Sequence, residues 1–149
     1  LTLVAKHETP QVFYGAGGIG YHDGHFFVVG GLPDGVAENY VYEYDDQFQF
    51  IRQHTIASGH THLGIQTATF ADGRWWFGCY GDPKILLITD SDFRMLGRYQ
   101  YDCSLGIVGI PGGRFLSATG VCRDKVCSGS VRLAVSDDTL GLRIEEVKP

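Results

Sequence analysis

The sequence predicts an all-β chain, a β-propeller made of four-stranded antiparallel blades. Three similar turn-centred strings recur, HDGHFF at 22–27, ADGRWWF at 71–77 and PGGRFL at 111–116. Each is followed by an Asp-marked turn, and Asp45, Asp90 and Asp137 are spaced by 45 and 47 residues. A period in the forties with four short strands per unit is typical of propeller blades. No stretch of ten or more residues combines a 3.6-residue apolar period with helix caps, so little helix is expected.

Alternating apolar runs between the turns place the individual strands. The first blade, residues 17–56, has expected strands at 18–21, 25–30, 40–44 and 48–56. The second, residues 64–101, has them at 64–70, 74–79, 85–89 and 93–101. The third, residues 106–147, has them at 106–110, 114–119, 130–136 and 140–147. Asp-Gly and Gly-Gly pairs suit the two-residue turns between first and second strands, because glycine accepts positive φ. The Asp-rich turns suit the connections between third and fourth strands.

The first eight residues, LTLVAKHE, match residues 48–55, FQFIRQHT. Residues 1–8 are therefore expected to form the last strand of a preceding blade. Three blades and one strand do not close a ring, since propellers use about four to eight blades. A second copy of the chain, or a missing N-terminal half, is expected to complete a six-bladed ring.

Composition limits the classes of partner. The chain has 149 residues, 44% of them hydrophobic, a net charge of −5 and 21 glycines. Because Lys and Arg do not cluster, we expect no nucleic-acid partner. Because no apolar run approaches 18 residues, we expect no membrane span.

The strand order divides the connections between two faces of the predicted blades. The short turns lie on one face, while the connections between second and third strands, and those between blades, lie on the other. The second group is long and irregular and includes residues 30–39, 80–84, 121–129 and 57–63. Variable loops on a rigid scaffold are where binding and catalysis usually occur. We therefore expect this long-loop face to carry the functional site.

The string GHTHLGIQ at 59–66 is the sharpest motif of the long-loop face. In an extended segment His60 and His62 project to the same side, about 6 to 7 Å apart at the backbone, which suits a shared divalent metal or a general base. The competing interpretation is that one imidazole caps the loop and the other is solvated. Asp82 or Glu38 would supply a carboxylate partner.

A second set of candidates would form a polar ligand pocket for an anionic or sugar-like molecule. Its members are Glu38, Tyr80, Asp82, Arg123 and Lys125. If the site is instead that of an enzyme, Arg123 would stabilise an anion. The competing interpretation is a group of solvated loop tips.

Other conspicuous side chains are interpreted as structural. His22 and His25 flank a turn on the short-turn face, and His54 occupies a strand end. Trp75 and Trp76 are expected to fill the interfaces on the two sides of their blade.

The cysteines bear on the redox compartment. Cys122 and Cys127 would face each other across a hairpin, either as a disulfide or as two reduced thiols. A disulfide would favour an extracytoplasmic location. Cys79 and Cys103 are expected to be buried free thiols.

The repeat resembles the six-bladed propeller superfamily of NHL-repeat and gluconolactonase-like proteins over nearly the whole chain. The resemblance rests on the strand period and the Asp-Gly turns. It implies a ligand site near the ring axis, but the axial Glu, Asn and Asp metal ligands of the lactonase-like members have no matching set here. We therefore expect a binding or scaffold module that engages a small polar ligand or a protein, with a hydrolase or lyase as the alternative.

Overall fold

The protein is entirely built of β-strands in the part of the chain that the structure describes. The computed structural model describes residues 2–33 and 35–145, and in these ranges it has twelve strands and no helix. No membrane-crossing helix therefore occurs among the described residues. The strands form three four-stranded antiparallel sheets, and within each sheet the strands pair in the order in which they follow one another in the chain.

The strand bounds follow the chain in groups of four. The first sheet contains β1 (Ala16–His22), β2 (His25–Gly30), β3 (Asn39–Tyr44) and β4 (Phe50–Ile56). The second contains β5 (Ile65–Ala71), β6 (Arg74–Cys79), β7 (Ile85–Thr89) and β8 (Met95–Gln100). The third contains β9 (Gly106–Ile110), β10 (Arg114–Arg123), β11 (Val126–Asp137) and β12 (Gly141–Ile144). The prediction of three four-stranded antiparallel units is confirmed.

Two predicted segments differ from the structure or fall outside it. Residues 2–8 lie in no strand, so a terminal strand there would need partners from outside the described chain and stays a prediction. The predicted last strand extended to Val147, and residues 146–149 lie outside the described ranges.

The turns follow the chemistry expected from the sequence. Asp23 and Gly24 join β1 to β2 with φ of 49° and 81°, and Asp72 and Gly73 join β5 to β6 with 52° and 71°. The Asp-marked turns are closed by their carboxylates. Asp90 Oδ1, for example, accepts hydrogen bonds from the backbone N–H groups of residues 92 and 94 at 2.9 and 2.8 Å. The short carboxylate thus accepts hydrogen bonds that a backbone carbonyl would otherwise accept.

The two main hydrophobic clusters lie between successive sheets. Trp75 and Phe77 of the second sheet pack with Phe27 and Val41 of the first. Trp76, from the opposite face of the second sheet, packs with Phe115 of the third at a centroid distance of 4.5 Å. Both tryptophans are almost fully buried, as their alternation predicts. The second sheet is therefore covered on both faces.

The first strands of the three sheets lie side by side, with β1 next to β5 and β5 next to β9. Glycine permits this close approach, since a Cβ on Gly18 would lie 2.5 Å from the carbonyl oxygen of Gln66. The described sheets do not close on themselves, so the ring itself stays a prediction.

Candidate functional site

A groove lies on the long-loop face, where the connection between the first two sheets meets the second sheet. It has a volume of about 470 Å³ and is lined by His60, His62, Asp82, Pro83, Ile85 and Arg98. The β4–β5 connection supplies the histidines, the β6–β7 connection supplies Asp82, and β8 supplies Arg98. Three of the sequence-predicted site residues thus come together.

A buried side-chain amide fixes the loop that carries His60 and His62. Asn39, the single asparagine of the chain, is 1% exposed. Its Nδ2 group donates to Ser58 Oγ at 2.8 Å and to Thr61 Oγ1 at 2.9 Å. Because the hydroxyls are themselves buried, this network fixes the backbone of the loop.

Arg98 holds the same loop from the neighbouring sheet. Its guanidinium donates to the carbonyl oxygens of Ser58 at 2.5 Å and His60 at 2.7 Å. Charge-assisted bonds to two carbonyls fix the loop relative to β8. Arg98 therefore lines the groove and also positions the loop that forms it.

The alternation predicted for the HTH segment is present. Thr61 is buried, whereas His60 and His62 on either side of it are exposed and line the groove. Neither imidazole has a hydrogen-bond partner among the described residues. Gly81 accommodates His62, because it has a φ of 114° and an added Cβ would lie 2.8 Å from His62 Cβ. Two exposed imidazoles thus border one groove on a fixed backbone.

The remaining predicted pocket residues lie elsewhere. Glu38 accepts a 2.5 Å hydrogen bond from the hydroxyl of Tyr40, which raises the pKa of that tyrosine. Lys84 Nζ lies 3.6 Å from the centroid of the Tyr80 ring. These side chains are not among the residues that line the groove of His60 and His62.

The prediction of an irregular loop at 121–129 is wrong. Strands β10 and β11 continue their pairing to the Arg123–Val126 pair, and Asp124 and Lys125, at φ of 49° and 66°, form the turn. Positive φ at both central residues is the geometry of a tight hairpin turn. Arg123 and Lys125 are therefore exposed at the tip of a hairpin and do not line the groove of His60 and His62.

A disulfide joins the two strands of this hairpin. Cys122 and Cys127 are directly opposed and bonded, which resolves the two alternatives left by the sequence. Cys79 and Cys103 are free and buried, as expected. Burial raises the pKa of Cys79 to about 12 and also raises that of Cys103, so both remain unreactive thiols at neutral pH.

Sequence reasoning missed a buried carboxylate on the short-turn face. Glu43 of β3 is 4% exposed. Its oxygens lie 2.6 Å from His25 Nδ1, 2.7 Å from His54 Nε2 and 2.8 Å from Arg52 Nε. Burial raises the pKa of Glu43, but the hydrogen bonds from Arg52, His54 and His25 outweigh it and lower the value to about 2. The carboxylate is therefore ionised and satisfied.

The Glu43 cluster has a structural explanation. It joins β2, β3 and β4. Phe27 lies opposite Glu43 in the β2–β3 ladder. In the β3–β4 ladder, Arg52 lies opposite Glu43 and His54 lies opposite Val41. The cluster lines a cavity of about 360 Å³ together with Ser91 and Asp92 of the second sheet's β7–β8 turn. The signal in the sequence was a lone Glu between the buried tyrosines of an apolar strand, which requires polar partners.

Among residues 2–33 and 35–145, no group of three His, Cys, Asp or Glu side chains is placed so that it could hold a metal ion. A metal at His60 and His62 would need a further ligand and stays a prediction. Comparison of the chain with protein-family models, curated proteins and solved structures found no significant match.

Proposed function

We propose that this chain is part of a β-propeller that acts as a binding module for a small polar ligand. The ligand occupies the groove bordered by His60, His62 and Asp82 on the long-loop face. Three successive four-stranded sheets with adjacent first strands support the radial arrangement.

The observation that carries the binding proposal is the contrast between a fixed backbone and free side chains. Asn39 and Arg98 fix the loop, while the imidazoles that it presents are exposed and without partners among the described residues. A ligand that binds there meets preorganised groups and does not have to order the loop itself. Preorganisation of this kind reduces the entropic cost of binding.

The groove suits a ligand rich in hydroxyl groups. Each neutral imidazole offers one donor and one acceptor, and the Asp82 carboxylate accepts. The Arg98 guanidinium is hydrogen-bonded to two carbonyls, but its positive charge borders the groove. A monosaccharide, neutral or carrying a carboxylate, matches this set of groups.

The alternative is a hydrolase or lyase in which His60 or His62 is a general base or a metal ligand. Asp82 is the carboxylate that lines the same groove. Elemental analysis separates the two proposals. Stoichiometric metal that is lost in a His60→Ala, His62→Ala double variant favours the enzyme.

The hairpin disulfide also supports a proposal about location. A Cys122–Cys127 bond supports an oxidising, extracytoplasmic compartment.

Saturation-transfer difference NMR with glucose and with glucuronate tests the binding proposal. We expect signal transfer to at least one sugar, and loss of that transfer in the His60→Ala, His62→Ala double variant. The matched control is His22→Ala, which changes an imidazole on the short-turn face. Absence of transfer to both sugars, or equal transfer in the double variant, would refute binding of sugars in this groove.

A further inference from the structure

The first and third sheets each have one apolar face that no described sheet covers. On the third sheet, Val108 is 47% exposed, Leu116 is 37% exposed and Val131 is 66% exposed. Val108 is paired with Leu116 and Val131 with Ala118, which places these side chains on one face, opposite to Phe115. We call this the third-sheet end face.

The corresponding surface of the first sheet has a partly filled groove. Ile19 and Tyr21 are 51% and 59% exposed and lie on the same face as the buried Tyr42. The N-terminal segment covers part of this face, where Gln11 accepts a hydrogen bond from the Tyr44 hydroxyl at 3.0 Å. Beside it, a mainly apolar cavity of about 420 Å³ stays open. We call this surface the first-sheet end face.

The packing within the chain indicates what covers such faces. At both internal interfaces, one sheet contributes the face directed toward the next sheet in chain order. That next sheet contributes the face directed toward the preceding sheet. The third-sheet end face is of the first kind and the first-sheet end face is of the second kind. An apolar sheet face must be buried against another element, and these two faces are the pair that the described sheets leave uncovered.

We propose that two copies of this chain associate head to tail, each third-sheet end face packing on the first-sheet end face of the other copy. Strands about 4.8 Å apart and five residues long at about 3.3 Å per residue give each face an area of roughly 300 Å². A closed pair buries four such faces, roughly 1,200 Å² in total, which falls within the range of stable protein interfaces. The pairing rests on the radial arrangement proposed above and is independent of the ligand groove.

Size-exclusion chromatography with light scattering tests this pairing on the 149-residue chain. We expect a mass about twice the 16.4 kDa of one copy. Two variants each block one face, Val108→Lys with Leu116→Lys on the third sheet and Ile19→Lys with Tyr21→Lys on the first. Each is expected to be monomeric alone, with association weakened at least about 100-fold. A mixture of the two variants retains one intact interface, about half of the buried area, and should therefore associate more strongly than either variant alone but more weakly than the wild type.

The control variant carries Leu96→Lys and Val126→Lys, which change exposed apolar residues outside both end faces and should leave the pair intact. Circular dichroism confirms that each variant keeps its strands. A monomeric wild-type chain at micromolar concentration would overturn the proposal. A ladder of growing oligomers would overturn the closed pair. Persistent dimers of the first-sheet variant would show that the third-sheet end face pairs with itself and would overturn the head-to-tail order. Each of these outcomes leaves the sugar-binding test of the groove unaffected.

Discussion

Replacing Glu43 with Gln tests whether the buried carboxylate stabilises the first sheet. The native carboxyl has a pKa of about 2 against an ordinary value of 4.5. At 1.36 kcal/mol for each pKa unit, the native environment favours the ionised form by about 3 kcal/mol. A neutral amide loses this stabilisation and leaves Arg52, His25 and His54 facing a group that is itself partly a donor.

The sign of the pH dependence follows from the lowered pKa. The stabilisation is complete above the unfolded value near 4.5 and is lost as the pH falls through about 2. We therefore expect the free energies of unfolding of the wild type and Glu43→Gln to differ by about 3 kcal/mol at pH 7 and to converge between pH 5 and pH 2.

Urea denaturation followed by tryptophan fluorescence measures this difference, because Trp75 and Trp76 are both 1% exposed in the native state. The control is Asp46→Asn, which changes an exposed turn carboxylate in the same sheet and should alter stability by less than about 0.5 kcal/mol. A difference for Glu43→Gln below about 1 kcal/mol at pH 7, or one that stays constant down to pH 3, would refute the assignment.

Three further predictions address the loops and the sheet contacts. Asn39→Ala leaves two buried hydroxyls without their donor and should lower the free energy of unfolding by about 1–3 kcal/mol and abolish sugar binding; full binding in a folded variant would contradict the loop argument. Changing Cys122 and Cys127 to Ser should speed amide hydrogen exchange in the exposed hairpin 119–130, with unchanged exchange in the cores between the sheets. Gly18→Ala should lower the melting temperature because its Cβ would meet a backbone oxygen at 2.5 Å, whereas Gly129→Ala, with its nearest contact at 3.4 Å, should not.

The strands could be predicted because their signals are local. For β2, β6 and β7 the alternation and the flanking turn residues predict both ends correctly. The extension of the β10–β11 pairing beyond Thr119 was missed because Gly120, Ser128 and Gly129 have the composition of a loop. These residues form strands because they pair across the hairpin, which ends in the disulfide and a turn with two positive φ angles. A window of adjacent residues does not contain this cross-strand pairing.

The grouping of site residues could be predicted only in part, for a similar reason. The strand order alone assigns His60, His62 and Asp82 to one face, and the structure places them around one groove. Arg98 was missed because it reaches the loop from an outer strand 40 residues from Ser58. The partners of Glu43 depend on the register of three strands, which the alternation does not specify.

The Glu43 cluster of the first sheet and the groove of His60 and His62 differ in how far their hydrogen-bonding capacity is used. Glu43 directs its two oxygens to three donors, and burial strengthens those bonds, so that cluster stabilises the sheet and has little capacity left for a ligand. At His60 and His62 the protein's own bonds hold the backbone instead, through Asn39 and Arg98. The imidazoles remain exposed and without described partners. This difference favours the long-loop groove over the buried carboxylate as the site of binding.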